Sequence, residues 1–175
     1  MGNFYTNIAL RTTARDAILE RMRSEGRTCF ISPTSGGFTA VYDRLCDDQR
    51  LEELEALTSN LSSEFHCSAL AALNHDDDIL FIGIARDGQW IMSYRSDQTF
   101  SGSALKLAWE FNVLMLAPLV WFLMRAPCLF ETWRHQAIAA TLRIPNFTIG
   151  LGFRYLMQGD RPWWRNDGEQ FELVR

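Results

Sequence analysis

Phe4-Tyr5-Thr6-Asn7-Ile8-Ala9-Leu10-Arg11 is the stretch on which the fold reading turns. Phe4, Thr6, Ile8 and Leu10 fall on one side and Tyr5, Asn7, Ala9 and Arg11 on the other, the period of two that marks a strand. Directly after it, Thr12 or Thr13 is placed to cap a helix. That helix repeats Ala14, Ala17, Ile18 and Met22 at helical spacing and is closed by Gly26. Two short strands are expected next, over residues 28–32 and 38–43, around the turn-rich Pro33-Thr34-Ser35-Gly36-Gly37. Asp47 or Asp48 is placed to cap a second helix with Leu51, Leu54, Leu57, Leu61 and Phe65 on one stripe. Strands over 69–73, 79–85 and 90–94 follow, joined by His75-Asp76-Asp77-Asp78 and by the hairpin signal Asp87-Gly88. This order predicts an α+β fold, a ferredoxin-like βαββαβ sandwich with two added antiparallel strands and both helices on one sheet face.

Beyond Ser103 the pattern turns helical. Residues 104–116 are apolar nearly all round and read as buried. Further helices are expected over 130–142 and 148–157, the last stopped by Gly159. The tail from Trp163-Trp164 to Val174 holds too few apolar residues to fold alone and is expected to pack on the rest. Residues 1–96 therefore read as an α+β sandwich domain and 103–175 as a helical extension packed on it, with Ser, Asp and Gly marking the boundary between them.

The 175 residues are 47% hydrophobic and 22% charged with 5 Pro and 11 Gly, which excludes disordered and fibrous classes. A chain of this length builds a core without disulfide or metal staples. Its net charge of −4 argues against a nucleic-acid partner. Residues 1–102 carry fifteen acids and nine bases, and 103–175 six acids and eight bases, so the front is acidic and the back mildly basic. From Phe111 to Met124 no residue is charged. As a helix this segment spans about 21 Å, short of the roughly 30 Å of bilayer hydrocarbon. It reads as a core helix or a dimer contact, and no membrane partner is expected. No export signal precedes Phe4, which points to the cytoplasm. Cys29, Cys46, Cys67 and Cys128 form no Cys-x-x-Cys pair, and all four read as reduced thiols.

For chemistry, His75-Asp76-Asp77-Asp78 offers an imidazole and hard carboxylate ligands suited to Mg²⁺ or Mn²⁺. His75, Asp76 and Asp78 are the candidate metal ligands. With His135 they are the candidate catalytic groups of a metal-dependent hydrolase, provided they converge. The competing reading is a wet hairpin turn and a structural histidine, with no cofactor. His66, at the end of the second helix, reads as a helix-end residue. Ser32-Pro33-Thr34-Ser35-Gly36-Gly37 lacks the Gly-Lys-Ser/Thr ending of a phosphate loop, and Gly150-x-Gly152 is no dinucleotide fingerprint. Gln136 to Leu156 has the outline of a helix-turn-helix but a low basic density. Trp109, Trp121, Phe122, Phe130, Trp133, Phe153, Tyr155, Trp163 and Trp164 crowd the second half; any of them left exposed would mark a partner surface.

Phe4-Tyr5-Thr6-Asn7, Ser32-Pro33-Thr34, Asn74-His75-Asp76-Asp77-Asp78, His135-x-x-Ile138-Ala139, Ile144-Pro145, Gly150-x-Gly152-Phe153-x-Tyr155-Leu156 and Gly159-Asp160 resemble an uncharacterised group of bacterial proteins. The resemblance covers roughly residues 3–95 and 131–162, and 104–130 lies outside it. It implies a bacterial, cytoplasmic chain and carries over neither an activity nor catalytic residues. The reading is therefore a soluble, non-catalytic interaction or ligand-binding module. A protein partner could be met through the acidic stretch 47–55, or a second copy through the apolar segment. The metal-dependent hydrolase is the alternative.

Overall fold

In the computed structural model, which describes residues 2–98, 101–160 and 170–175, the alternating stretch forms β1 (Tyr5–Leu10) at the centre of a seven-stranded antiparallel sheet. Along the chain follow α1 (Arg15–Ser24), β2 (Cys29–Ile31), β3 (Thr39–Asp43), α2 (Leu51–Glu64), β4 (Ser68–His75), β5 (Ile79–Arg86) and β6 (Gln89–Arg95). Then come α3 (Ala104–Glu110), α4 (Ala117–Arg125), α5 (Glu131–Thr141), α6 (Phe153–Met157) and β7 (Glu172–Val174). The order across the sheet is β6-β5-β4-β1-β3-β2-β7. The unit β1-α1-β2 is thus split by β3, and β3-α2-β4 is split by β1. The α+β reading holds, and β5 and β6 extend the β4 edge as expected.

One sheet face packs against α1 and α2. Ile8, Leu10, Val41, Ala69 and Ala71 meet Ile18, Leu19, Met22, Leu54, Leu57 and Leu61 there. The opposite face is equally covered, and here the alternation misleads. Ala9, Leu70, Ala72, Ile82, Ile84 and Tyr94 pack under Leu107 and Ala108 of α3, Val120 and Met124 of α4 and Ile138 and Ala139 of α5. Phe30, Ala40 and Tyr42 pack under Phe147, Leu151, Phe153 and Leu156. Every residue of β1 is buried, because a central strand with helices on both faces has no wet side. The polar residues of the second face donate to the backbone of the covering loop. Asn7 Nδ2 donates to the carbonyls of Thr148 at 2.6 Å and Leu151 at 3.0 Å, and Tyr42 Oη to that of Phe147 at 2.7 Å.

Several local expectations need correction. Asp47 and Asp48 do not cap α2: they lie in a 3-10 turn, and Arg50 precedes the helix with no side-chain cap. Ala14, not a threonine, stands at the start of α1, although Thr12 Oγ1 accepts the Ala14 N–H at 3.2 Å. Residues 104–116 are not one buried helix. The chain turns at Asn112 with φ 57°, forms a 3-10 turn over Leu114–Leu116 and restarts as α4, with Pro118 in its first turn where no N–H is needed. Residues 148–157 are interrupted by Gly150 at φ 70°, which leaves only α6 helical. The tail does pack on the sheet, through Phe171 and β7 on β2; Trp163 and Trp164 lie outside the described residues.

Three helices end in the same way. After α1 the Gly26 N–H bonds the Arg23 carbonyl and the Arg27 N–H that of Met22, with Gly26 left-handed at φ 64°. After α2 the left-handed position belongs to His66 at φ 45°, and after α5 to Arg143 at φ 60°. A side chain there is disfavoured by steric contact with the following carbonyl. His66→Gly is therefore expected to raise stability by about 0.5–1 kcal/mol and Gly26→Ala to lower it by about 1 kcal/mol, read from urea denaturation midpoints.

Candidate functional site

The turn between β4 and β5 has Asp76 at φ 55° and Asp77 at φ 59° and is closed by the Asp78 N–H on the His75 carbonyl at 3.0 Å. This geometry sends the candidate ligands apart. The His75 ring is exposed, edge-on to Phe4 at 5.0 Å, with Nδ1 3.3 Å from Gln49 Oε1. Asp76 Oδ1 accepts the Gly2 N–H at 2.9 Å, and Asp78 points to solvent.

Asp77 turns inward instead. Its Oδ1 accepts from Asn74 Nδ2 at 3.1 Å, from the Thr132 N–H at 3.2 Å and from the Thr132 hydroxyl; Oδ2 accepts from the Asn3 N–H at 3.2 Å and from Asn3 Nδ2 at 2.9 Å. The Asp77 carbonyl also receives the Glu131 N–H at 3.0 Å. Because Phe130 supplies no side-chain cap, Asp77 is the cap of α5, delivered from a distant turn. Partial burial pushes its carboxyl upward. The hydrogen bonds from Thr132, Asn3 and Asn74 outweigh that, and the group sits below the ordinary aspartate value.

One turn along α5, His135 is 1% exposed. Its Nδ1 shares a 2.8 Å hydrogen bond with Tyr5 Oη, the two rings stack at 5.8 Å, and Nε2 has no partner among the described residues. Tyr5, itself buried and pushed far above the usual tyrosine range by that burial, lies beside Asn74 and Thr132, which pull it partly back. His135 thus joins the aspartate run through Thr132, Asn74 and Asp77, while His75, Asp76 and Asp78 stay outside that network. Among the described residues no three His, Cys, Asp or Glu side chains form a group able to hold a metal ion. The convergence that a His/Asp metal hydrolase needs is not formed.

Asp47 repeats the device. It is buried, and its Oδ1 accepts the Thr6 N–H at 3.2 Å and its Oδ2 the Arg154 N–H at 2.9 Å, at the start of α6. Burial raises its carboxyl above the ordinary value, against the pull of those amides. Gly152 precedes α6 because a Cβ there would lie 2.3 Å from Asp47 Oδ1. Asp48 is ion-paired to Arg154, so the acidic stretch 47–55 begins with two engaged carboxylates. The thiols offer no nucleophile in the core: all four cysteines are unpaired, and burial pushes Cys29 up to about 12 and Cys67 to about 11.

What remains available is apolar. Leu105 and Trp109 on α3, Leu114, Met115 and Leu116 in the turn, Leu119, Trp121 and Phe122 on α4, and Leu129, Phe130 and Trp133 at the start of α5 are all exposed. Met115 is 91% exposed, Trp109 64% and Trp121 54%, values no core side chain shows. Trp109, Leu114, Met115, Leu116 and Arg143 line a groove of about 570 Å³ on this side. A second groove of about 720 Å³ lies beside β7, where Arg15 is already paired to Glu172 at 3.1 Å. The uncharged run 111–124 overlaps α4, but apolar composition does not say which stripe has a neighbour. Neither a family model, nor a curated protein, nor a solved structure matches the chain.

Two outcomes test the polar network. Asp77→Asn is expected to destabilise the fold by about 2–3 kcal/mol, because an amide cannot accept all these donors. Asp76→Asn and Asp78→Asn stay within about 0.5 kcal/mol. The second concerns His135, which burial lowers from 6.5 to about 4. The unfolded chain binds this proton near pH 6.5 and the folded chain only near pH 4. Its contribution is therefore complete above the upper value and declines as pH falls between them, at up to about 1.4 kcal/mol per pH unit. His135→Phe flattens that window in denaturation curves taken across it.

Proposed function

We propose that this chain is a non-catalytic interaction module in which a ferredoxin-like βαββαβ core, with two added strands, is the platform for an apolar docking face on α3, α4 and the start of α5. The observation that carries this reading is the exposure of Trp109, Met115, Trp121, Phe122 and Trp133 on one helical layer. Burying a side chain of this kind is worth about 1.5–3 kcal/mol, so leaving several in water forgoes a large stabilisation that a partner would recover.

The two layers covering the sheet make the contrast. The helices α1 and α2 bury one stripe and expose Asp16, Glu20, Arg23, Glu52, Asn60 and Glu64. The other layer buries Leu107, Val120, Met124 and Ile138 equally well and turns tryptophan, phenylalanine and leucine outward. Covering a sheet does not require an apolar exterior, so the composition of this one is explained by what it meets. Aromatic side chains and methionine with few charges are the composition of an interface centre. On the polar side, the one buried histidine is sealed and cannot touch a substrate.

The double variant Trp121→Glu/Phe122→Glu tests the reading, since both side chains project outward. In extracts of producing cells, the wild type is expected to sediment well beyond its 20.1 kDa monomer and the variant to return to monomer size with unchanged circular dichroism. A wild type that is monomeric in the extract, indistinguishable from the variant, overturns it.

A further inference from the structure

We infer that the partner of this face is the surface of an anionic lipid bilayer, on which the chain lies without crossing it; the inference rests on the docking reading above. No described helix is long and apolar enough to cross a membrane, and α4 has only nine residues. With α3, α4 and α5 covering the sheet side by side, their outer stripes form a layer suited to lying flat in the headgroup region.

Charge selects the occupant. Between residues 101 and 160 the acids are Glu110 and Glu131, both buried, the first beside the Ser68 hydroxyl and Arg86 and the second paired to Arg134 at 2.7 Å, and the exposed Asp160, which follows α6 and is no part of α3, α4 or α5. The bases at or near the surface are Lys106, Arg125, Arg143 and Arg154, of which Arg154 is paired to Asp48. Lys106, Arg125 and Arg143 have no acidic partner among the described residues, and Arg125 lies 5.1 Å over the Trp121 ring. The face is therefore apolar with a basic complement, while the opposite layer has an acidic excess, exposing Asp16, Glu20, Glu52 and Glu64 with Arg23. A negatively charged surface attracts the first layer and repels the second, which fixes the orientation of approach. A second copy docked by a two-fold axis would set the same bases against one another with no acid to receive them. Three exposed tryptophans with flanking Lys and Arg suit the bilayer interface, where an indole finds both hydrocarbon and polar headgroups.

Arg143 gives the sharpest local indication. It follows α5 in the left-handed position, at φ 60°, and lines one groove together with Trp109, Leu114, Met115 and Leu116. A guanidinium beside an apolar trough matches a lipid phosphate above its acyl chain.

Flotation of the purified chain with vesicles tests this, using phosphatidylcholine alone and phosphatidylcholine mixed with phosphatidylglycerol. The chain is expected to float with the mixed vesicles, with tryptophan emission moving to shorter wavelength, and to be released by high salt. Lys106→Gln and Arg143→Gly are each expected to weaken partition about fivefold. Arg143→Gly at the same time raises Tm, so its loss of binding is not a loss of fold. Trp121→Glu/Phe122→Glu abolishes flotation, and Glu52→Gln on the far layer does not weaken it. Absence of flotation, or equal flotation with both vesicle types, overturns the inference. If flotation is absent while the assembly in extracts still depends on Trp121 and Phe122, a protein is the partner and the docking reading stands. If that assembly is absent as well, both fall.

Discussion

The start of an α-helix leaves backbone N–H groups with no partner inside the helix, and two helices of this protein have theirs met from elsewhere in the chain. Neither Phe130 before α5 nor Gly152 before α6 supplies a side-chain cap. Asp77 and Asp47 do so, from the turns that follow β4 and β3. The antiparallel pairing of β1 with both strands brings these turns and Tyr5 to the same end of the sheet. The helical layer is thereby clasped to the sheet at that end by two carboxylates. Separating them would strand both a negative charge and the amides that receive it.

This clasp explains why the polar residues of the second sheet face are buried. Asn7 and Tyr42 donate to the carbonyls of residues 147–151, and Tyr5 meets His135, Asn74 and Thr132. An irregular loop can be buried only where its carbonyls find donors, and these strand side chains provide them. Towards β6, Tyr94 Oη donates to the Met124 carbonyl at 2.7 Å and Arg134 to that of Leu123 at 2.6 Å, which satisfies the last turn of α4. The hydrogen bonds of these residues position a layer of helices on the sheet. The histidine and aspartates that look like a site in the sequence are the fasteners, or lie in the turns beside them.

That layer presents an outside unlike that of α1 and α2. Its inner stripes are ordinary core, whereas its outer stripes are aromatic and aliphatic with only basic charges among them. A monomer that folded for its own sake would place charged and polar side chains there, as α1 and α2 do with Asp16, Glu20, Arg23, Glu52 and Asn60. The docking reading and its lipid form both follow from this asymmetry between two layers that carry out the same packing task.

Local pattern alone determined the elements of the first ninety-five residues. Strand alternation at 4–11, the Leu51–Leu61 stripe, Gly26 as a helix stop and Asp87-Gly88 as a two-residue turn are all short-range signals, and each coincides with the element it predicts. Tertiary structure decided the rest. Whether Asn7 is wet or buried depends on what covers β1, and that cover is more than a hundred residues away. Asp47 and Asp77 read as a helix cap and a wet turn because capping propensity is local, yet each is taken up by a helix start that only the sheet brings near. The apolar run after Ser103 reads as core because hydrophobicity measures a preference for leaving water. Which of its stripes finds a neighbour within the chain is set by the area of sheet left to cover, and here that area is filled before the stripes are used up.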